Sequence, residues 1–299
     1  VETGVTPSSY GNPDLHWEKS TEFNVGIDWS VFGDRLGGTI DVYHKKTTGM
    51  LWEYDVPSPP NLYNSTLANV GKMRNMGIEI AVNAVPVRTK DFEWKTTVTV
   101  SHNENKLLAL SNGLYETANQ HDDAYLREPI SLSTQRLEVG KQVGNWYGMK
   151  SVGVSEKGLW MIENKETGKA EEFTDNMLTD DKYHQYLGNA LPKVYAGWAN
   201  TLSYKDFDLN MQFTGQFGFK ILNEARAYYE NNSVVYNRLK SVNKAPYGSG
   251  HVLSTAQKQT FVSYYLEKGD FVKCTNITLG YNVPLKANKY VNAVRAYLS

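Results

Sequence analysis

Cysteine is nearly absent: Cys274 stands alone, so no internal disulfide can form and no second thiolate is at hand for a zinc site. Excess charge of either sign is lacking too. With 31 basic against 32 acidic side chains and a net charge of −1, the chain has no electrostatic footprint for a nucleic acid, whose phosphates must be neutralised by clustered Lys and Arg. Long apolar runs are missing, because Asn, Thr, Gly or Ser interrupts every uncharged stretch well before the ~18 residues that a spanning helix needs. That excludes a helical membrane protein but not a membrane β-barrel, in which only alternate residues of each strand face lipid. Helical periodicity is scarce as well. Residue 1 is Val rather than Met, no leader-like segment opens the chain, and Val294 to Ser299 read as a strand stopped midway. An internal piece of a longer protein is therefore expected.

What the sequence does have is two-residue alternation, the mark of strands with two chemically different faces. Phe207, Leu209, Met211, Phe213, Gly215 and Phe217 alternate with Asp208, Asn210, Gln212, Thr214 and Gln216. The same split runs through Phe23 to Val31, Ile78 to Ala84 and Trp94 to Ser101. Weaker versions cover Leu36 to Lys46, Val194 to Tyr204, Phe271 to Val283 and Val294 to Ser299, which makes eight strands.

Their connections fall into two classes. Phe32 to Arg35, Arg88 to Asp91, and Lys205 with Asp206 read as tight hairpins, and Pro284 to Tyr290 is a fourth short link opened by a strand-ending Pro. Lys90-Asp91-Phe92 and Lys205-Asp206-Phe207 repeat one hairpin wording. The alternate connections, residues 47 to 67, 106 to 190 and 219 to 268, are long. Strand parity keeps 106 to 190 on one side, with strands of its own expected over Leu132 to Leu137 and Trp146 to Val152. Short turns on one rim and long loops on the other are the asymmetry of an outer-membrane barrel. Trp29, Phe32, Phe92, Trp94, Tyr204, Phe207, Tyr281 and Tyr290 all lie near the short turns, where amphipathic rings favour the headgroup level. The expected fold is all-β: an antiparallel transmembrane β-barrel fragment forming an open curved sheet, with Phe23 and Val25 on the convex face and Asn24 and Asp28 on the concave one. A soluble β-sandwich is the alternative, and strands of twelve to fifteen residues count against it.

Specific wording then points to a family. Asn12-Pro13-Asp14-Leu15-His16-Trp17-Glu18-Lys19 followed by Asn24-Val25-Gly26-Ile27-Asp28 resembles the SusC/RagA family of TonB-linked outer-membrane transporters. Further matches follow in order: Asp41 to Lys46, Asn69-Val70-Gly71 with Gly77 to Ile80, Ser101 to Lys106, and Val139-Gly140 with Trp146-Tyr147-Gly148. Leu187 to Lys193, Tyr204 to Phe207, Gly269 to Val272 and Leu279-Gly280-Tyr281 complete the set. The resemblance implies a plugged barrel of about 22 strands, with this chain supplying about strands 14 to 21 and the plug and last strand lying outside it. It also implies an importer of oligosaccharides or peptides, a SusD-like surface lipoprotein over the long loops, and the TonB-ExbB-ExbD complex as energy source. A passive porin or structural barrel is the second reading. A soluble carbohydrate-binding sandwich is the third.

Chemistry-bearing motifs are few. His16, His44, His102, His121, His184 and His251 are scattered without an i, i+4 pair, which gives no support to a catalytic metal site. His121-Asp122-Asp123 and Asp175 to Asp181 lack the ligand spacing of a Ca²⁺ loop. Asp28, Asp41, Glu79 and Asp208 read as lumen-facing polar residues rather than as a hydrolase pair. No enzyme and no cofactor is expected. The sequons at Asn64, Asn232 and Asn276 carry no weight in a bacterial outer membrane. Loop aromatics Tyr115, Tyr125, Trp146, Tyr147, Trp160, Tyr228 and Tyr229 are the candidates for contact with substrate or partner, because flat rings stack on sugar faces and on peptide side chains.

Overall fold

A computed structural model describes residues 11–56, 58–60, 62–111, 119–285, 291 and 293–299. Its largest element is one eight-stranded antiparallel sheet. The strands are β1 (Lys19–Val31), β2 (Leu36–Asp55), β3 (Ser65–Arg88) and β4 (Phe92–Ala109). After a long excursion come β5 (Val194–Tyr204), β6 (Phe207–Phe217), β7 (Phe271–Val283) and β8 (Val294–Leu298). Order in the sheet equals order in the chain, and β1 and β8 are its two edges. The eight expected strands are therefore present and do not close on themselves.

The register explains the alternation. One row of cross-strand partners runs Trp29, Gly38, Val82, Val98, Trp198, Phe213 and Cys274. The adjacent row, on the opposite face, runs Asp28, Thr39, Ala81, Thr99, Gly197, Thr214 and Lys273. Each strand contributes one apolar and one polar row because successive side chains point to opposite faces. A water-soluble sheet would cover the apolar side, yet Phe23 is 69% exposed and Ile27 62%. In β2, Ile40 and Val42 are exposed while the alternate residues Asp41 and Tyr43 are half-buried, the reverse of a soluble strand. Polar atoms on the apolar face find local partners: Trp94 Nε1 donates to Asn200 Oδ1 at 3.0 Å and Trp198 Nε1 to Thr96 Oγ1 at 2.9 Å.

The short-turn rim is knitted across hairpins. The carbonyl of Asp91 accepts from Lys205 N and that of Asp206 from Asn282 N, both at 2.8 Å, so the repeated Lys-Asp-Phe wording carries the ladder from one hairpin to the next strand. Of the expected aromatic girdle, Phe207 packs on Tyr281 with ring centroids 4.6 Å apart. Tyr290 lies outside the described residues.

On the other rim the strands run further than expected. The segment 47 to 67, read as a loop, is mostly β2 and β3, which extend to Asp55 and from Ser65. Gly49, at φ +68°, sits in a bulge between Thr48 and Met50 rather than at a strand end. Asn69, buried beside it, donates to His16 O at 2.8 Å and Gly49 O at 2.6 Å and accepts from His16 N at 3.0 Å. This side chain joins the Asn12 to Lys19 wording to the Asn69-Val70-Gly71 wording.

The two long excursions fold together into a cap. Strands cover Ser133–Glu138 and Asn145–Met149 with Ser151–Val154, close to the two expected segments. Gln120–Tyr125, Trp160–Glu163, Ala170–Glu172 and His184–Asn189 add strands that the sequence reading missed. The hydrophobic core of the described residues lies here, where Trp146, Met149, Trp160 and Ile162 of the first excursion pack on Leu253, Phe261 and Tyr265 of the second. Trp160 is fully buried, and its backbone N donates to Gln257 Oε1 of the other excursion at 2.9 Å. Trp160→Ala should cost the cap about 3–5 kcal/mol. Limited proteolysis of the intact protein should then cut within 119–190 while the barrel keeps its heat-modifiable gel mobility.

Candidate functional site

Two of the cavities in the cap concern the aromatic candidates, which divide between them and the core. The larger, about 510 Å³, is lined by Tyr125, Tyr228, Tyr229, Tyr236, Arg127, Glu128 and Glu224 among others. The short helix Glu224–Tyr229 carries two of these rings, and its N-terminus is capped by Asn223, whose Oδ1 accepts from Arg226 N at 3.1 Å. Tyr228 is anchored, its hydroxyl donating to Arg127 O at 2.9 Å and its carbonyl accepting from Gln259 Nε2 at 2.5 Å. Burial pushes the Tyr228 hydroxyl above the ordinary phenol range. Tyr125 and Tyr236 remain 67% and 63% exposed. The cavity thus offers one fixed ring, several open rings and charges of both signs, a surface suited to the flat faces and hydroxyl or amide edges of a polar oligomer.

The second cavity, about 430 Å³, is lined by Gln120, Asp122, Arg136, Tyr147, Asp181 and His184 among others. Arg136 grips Asp122 through two hydrogen bonds of 2.5 and 3.0 Å and lies 3.7 Å above the Tyr147 ring. The Tyr147 hydroxyl donates to Asp181 Oδ1 at 2.6 Å, and Lys165 Nζ donates to Asp181 Oδ2 at 2.7 Å. Burial first, and then this bond to Asp181, drives the Tyr147 hydroxyl far above the usual range. Lys165 and Tyr147 together hold the Asp181 carboxyl low. The His184 ring stacks on Tyr147 at 6.1 Å, and burial lowers its pKa. These groups saturate one another. Among the described residues no cluster of three or more His, Cys, Asp or Glu could hold a metal, and Asp122 and Asp181 are engaged by cations instead.

Of the seven aromatic candidates, Tyr125, Tyr228 and Tyr229 are brought together in the first cavity. Tyr147 lines the second. Trp146 and Trp160 lie in the cap core, with Trp146 Nε1 donating to Lys220 O at 2.9 Å; their rings join the two excursions and are closed to a ligand. Tyr115 lies outside the described residues. Tyr236 and Arg136 line these cavities without being among the seven sequence candidates. The alternation around Thr134-Gln135-Arg136-Leu137 was the available signal for Arg136, whereas Tyr236 sits in a segment without periodicity.

The His184 arrangement sets a pH dependence. A histidine whose folded pKa lies below its unfolded value favours folding above about pH 6.5, and that contribution fades as pH falls. Asp181 and Glu163, both held low by lysine hydrogen bonds, contribute above about pH 4 and lose that contribution below it. Protease resistance of the cap should therefore decline between pH 7 and 5 in the parent protein and stay flatter there in His184→Gln, with both weakening below pH 4. An unchanged profile in His184→Gln would remove this histidine from the account.

Comparison with known proteins places this architecture. Residues 3–155 match the family model described as TonB dependent receptor-like, beta-barrel, which is just over half of the chain. TonB-dependent receptor P26 of Formosa agariphila is 30% identical over 95% of this chain, and TonB-dependent receptor SusC of Bacteroides thetaiotaomicron is 26% identical over 91%. The chain spans 29% and 26% of their respective lengths. Among solved structures, the RagAB peptide transporter superposes with a TM-score of 0.80 at 23% identity, covering 98% of this chain and 32% of that one. The open eight-stranded sheet, its two-faced rows and these matches agree: the chain belongs to the TonB-dependent receptor-like β-barrel family.

Proposed function

We propose that this chain is barrel wall and cap of an outer-membrane importer for oligosaccharides or peptides. It supplies about strands 14 to 21 of a barrel of about 22 strands, works with a SusD-like surface lipoprotein, and is energised by the TonB-ExbB-ExbD complex. The observation that carries the reading is the uncovered apolar face, which runs unbroken in register from Trp29 to Cys274. Lipid is the medium that stabilises such a face, while the polar face with Asp28, Thr99 and Lys273 suits an aqueous lumen. The cap supports the import function: it sits on the rim opposite the short turns and presents Tyr125, Tyr228, Tyr229 and Tyr236 in one cavity. Solved relatives of this fold include a peptide transporter, and the curated relatives include SusC.

A charge at the midplane of a barrel's outer face costs roughly 2–4 kcal/mol, whereas a lumen position tolerates it. Met211→Arg in the full-length receptor should therefore block barrel assembly and uptake of labelled oligosaccharide or peptide, and Gln212→Arg should preserve both. Dissipating the inner-membrane proton gradient should stop uptake by the parent protein. Equal tolerance of the two substitutions would contradict the membrane assignment, and uptake that persists without the gradient would indicate a passive porin.

A further inference from the structure

The cap-side end of the apolar face carries charge that the described residues do not balance. Beyond the row Val25, Val42, Ile78, the register continues through Phe23, His44, Met76 and Glu104 to Thr21, Lys46, Arg74 and Lys106, and then to Lys19, Thr48 and Lys72. Lys46, Arg74 and Lys106 are thus direct neighbours on three adjacent strands, their backbones ~4.8 Å apart. Like charges placed directly opposite one another destabilise a sheet. No carboxylate among the described residues comes within ion-pair distance of Lys19, Lys46, Lys72, Arg74 or Lys106, and Arg74 Nε is buried without a hydrogen-bond partner. The opposite face at this height is different, since Lys45 there pairs with Glu22 at 4.0 Å. Glu104 is the one acidic residue of the patch and lies one row below the cations.

Height and asymmetry identify what would balance the charge. The cationic row lies four residues beyond Val42 and Ile78. Counted from the short-turn end, Lys46 lies ten residues beyond Leu36, which for a strand rising ~3.4 Å per residue and tilted about 45° is roughly 24 Å along the membrane normal, about the height of a barrel's apolar band, so the row sits where hydrocarbon gives way to headgroups. The short-turn end of the same face ends instead in rings, with Tyr204 opposite both Phe92 and Phe207, and Phe207 opposite Tyr281. The short-turn surface is thus met by rings on β4 to β7, and the cap-side surface by unpaired cations on β1 to β4. Arg supplies a forked donor suited to phosphate oxygens, and Lys supplies mobile point charges around it.

We propose that Lys46, Arg74 and Lys106, flanked by Lys19 and Lys72, form a binding site for the phosphate groups of an anionic lipid headgroup in the leaflet on the cap side. This site rests on the membrane reading of the apolar face. Bound phosphate relieves the repulsion along the row, so the lipid stabilises β2, β3 and β4 where they leave the bilayer.

The test uses the full-length receptor, purified in detergent and titrated with diphosphorylated lipid A, phosphatidylethanolamine or inorganic phosphate under native mass spectrometry. Lipid A should bind at least about 10-fold more tightly than phosphatidylethanolamine, and the Lys46→Ser, Arg74→Ser, Lys106→Ser variant should lose at least about 10-fold. Lys45→Ser, on the other face, should change binding by less than about 2-fold. Heat-modifiable mobility of each variant confirms assembly. In parallel, brominated phospholipid in nanodiscs should quench the fluorescence of the outward tryptophans, Trp29, Trp94 and Trp198. Quenching without lipid A preference, or with preference unaffected by the triple variant, overturns the site and leaves the membrane reading intact. Absent quenching overturns both. Inorganic phosphate bound as tightly as lipid A makes this a free-phosphate site. Loss of a co-purifying acidic protein in the triple variant, with lipid A binding unchanged, makes it a protein interface. Either result contradicts the proposal.

Discussion

Register is the constraint on which the rest of this structure depends. Side chains alternate with a period of two, so a slip of one residue between any two strands would move a whole apolar row to the polar face. Rows such as Trp29 to Cys274 and Asp28 to Lys273 stay in phase across seven strands. Where the chain departs from regular pairing, it does so by local bulges, among them those at Gly49, at Val85 with Pro86, and at Thr275, whose hydroxyl donates to Gln212 O at 3.1 Å. The turn-to-strand bonds at Asp91 and Asp206 fix the phase at the short-turn rim, and the Asn69 clamp fixes it near the other.

Because the sheet carries its apolar residues outward, it has no interior core, and the burial that stabilises a soluble domain is found in the cap. There the ordinary rules return. Trp160, Met149, Phe261 and Tyr265 pack together, and Glu230 is buried against Arg226, with the Tyr264 hydroxyl 3.2 Å from its other oxygen. Hydrogen bonding to Glu230 and Glu267 raises the Arg226 pKa, and its guanidinium lies 4.6 Å from the Tyr264 ring centroid. Two loops with distant positions in the chain thereby act as one body, and the rigidity needed to hold four tyrosines around a cavity comes from this shared core.

Most of the sheet was legible in the sequence because alternation is a local signal: Phe207 to Phe217 names its two faces without reference to any neighbour. The extensions of β2 and β3 were not legible. Gly49 resembles a strand breaker, and the Trp52-Glu53-Tyr54-Asp55 alternation beyond it is too short to read as a strand on its own. The cap was half legible. Trp146 to Val152 alternates enough to be read as strand, but Trp160, Gln257 and Phe261 meet only through tertiary packing, so the sequence could not separate the rings that fill a core from the rings that line a cavity. Tyr125, Tyr228 and Tyr229 share a cavity, and Trp146 and Trp160 do not. The unpaired cations of β2, β3 and β4 were equally hidden, since Lys46, Arg74 and Lys106 become neighbours only through the register.

Site-directed spin labelling of the full-length receptor in bilayers tests the central claim most directly. Nitroxides placed one at a time along 94–101 and 207–214 report access to oxygen, which concentrates in lipid, and to a water-soluble nickel chelate. The account predicts alternation with a period of two, oxygen dominating at Val98, Leu209, Met211 and Phe213 and the chelate dominating at Thr97, Thr99, Asn210 and Gln212. Uniform accessibility along either strand, or alternation in the opposite phase, would contradict it.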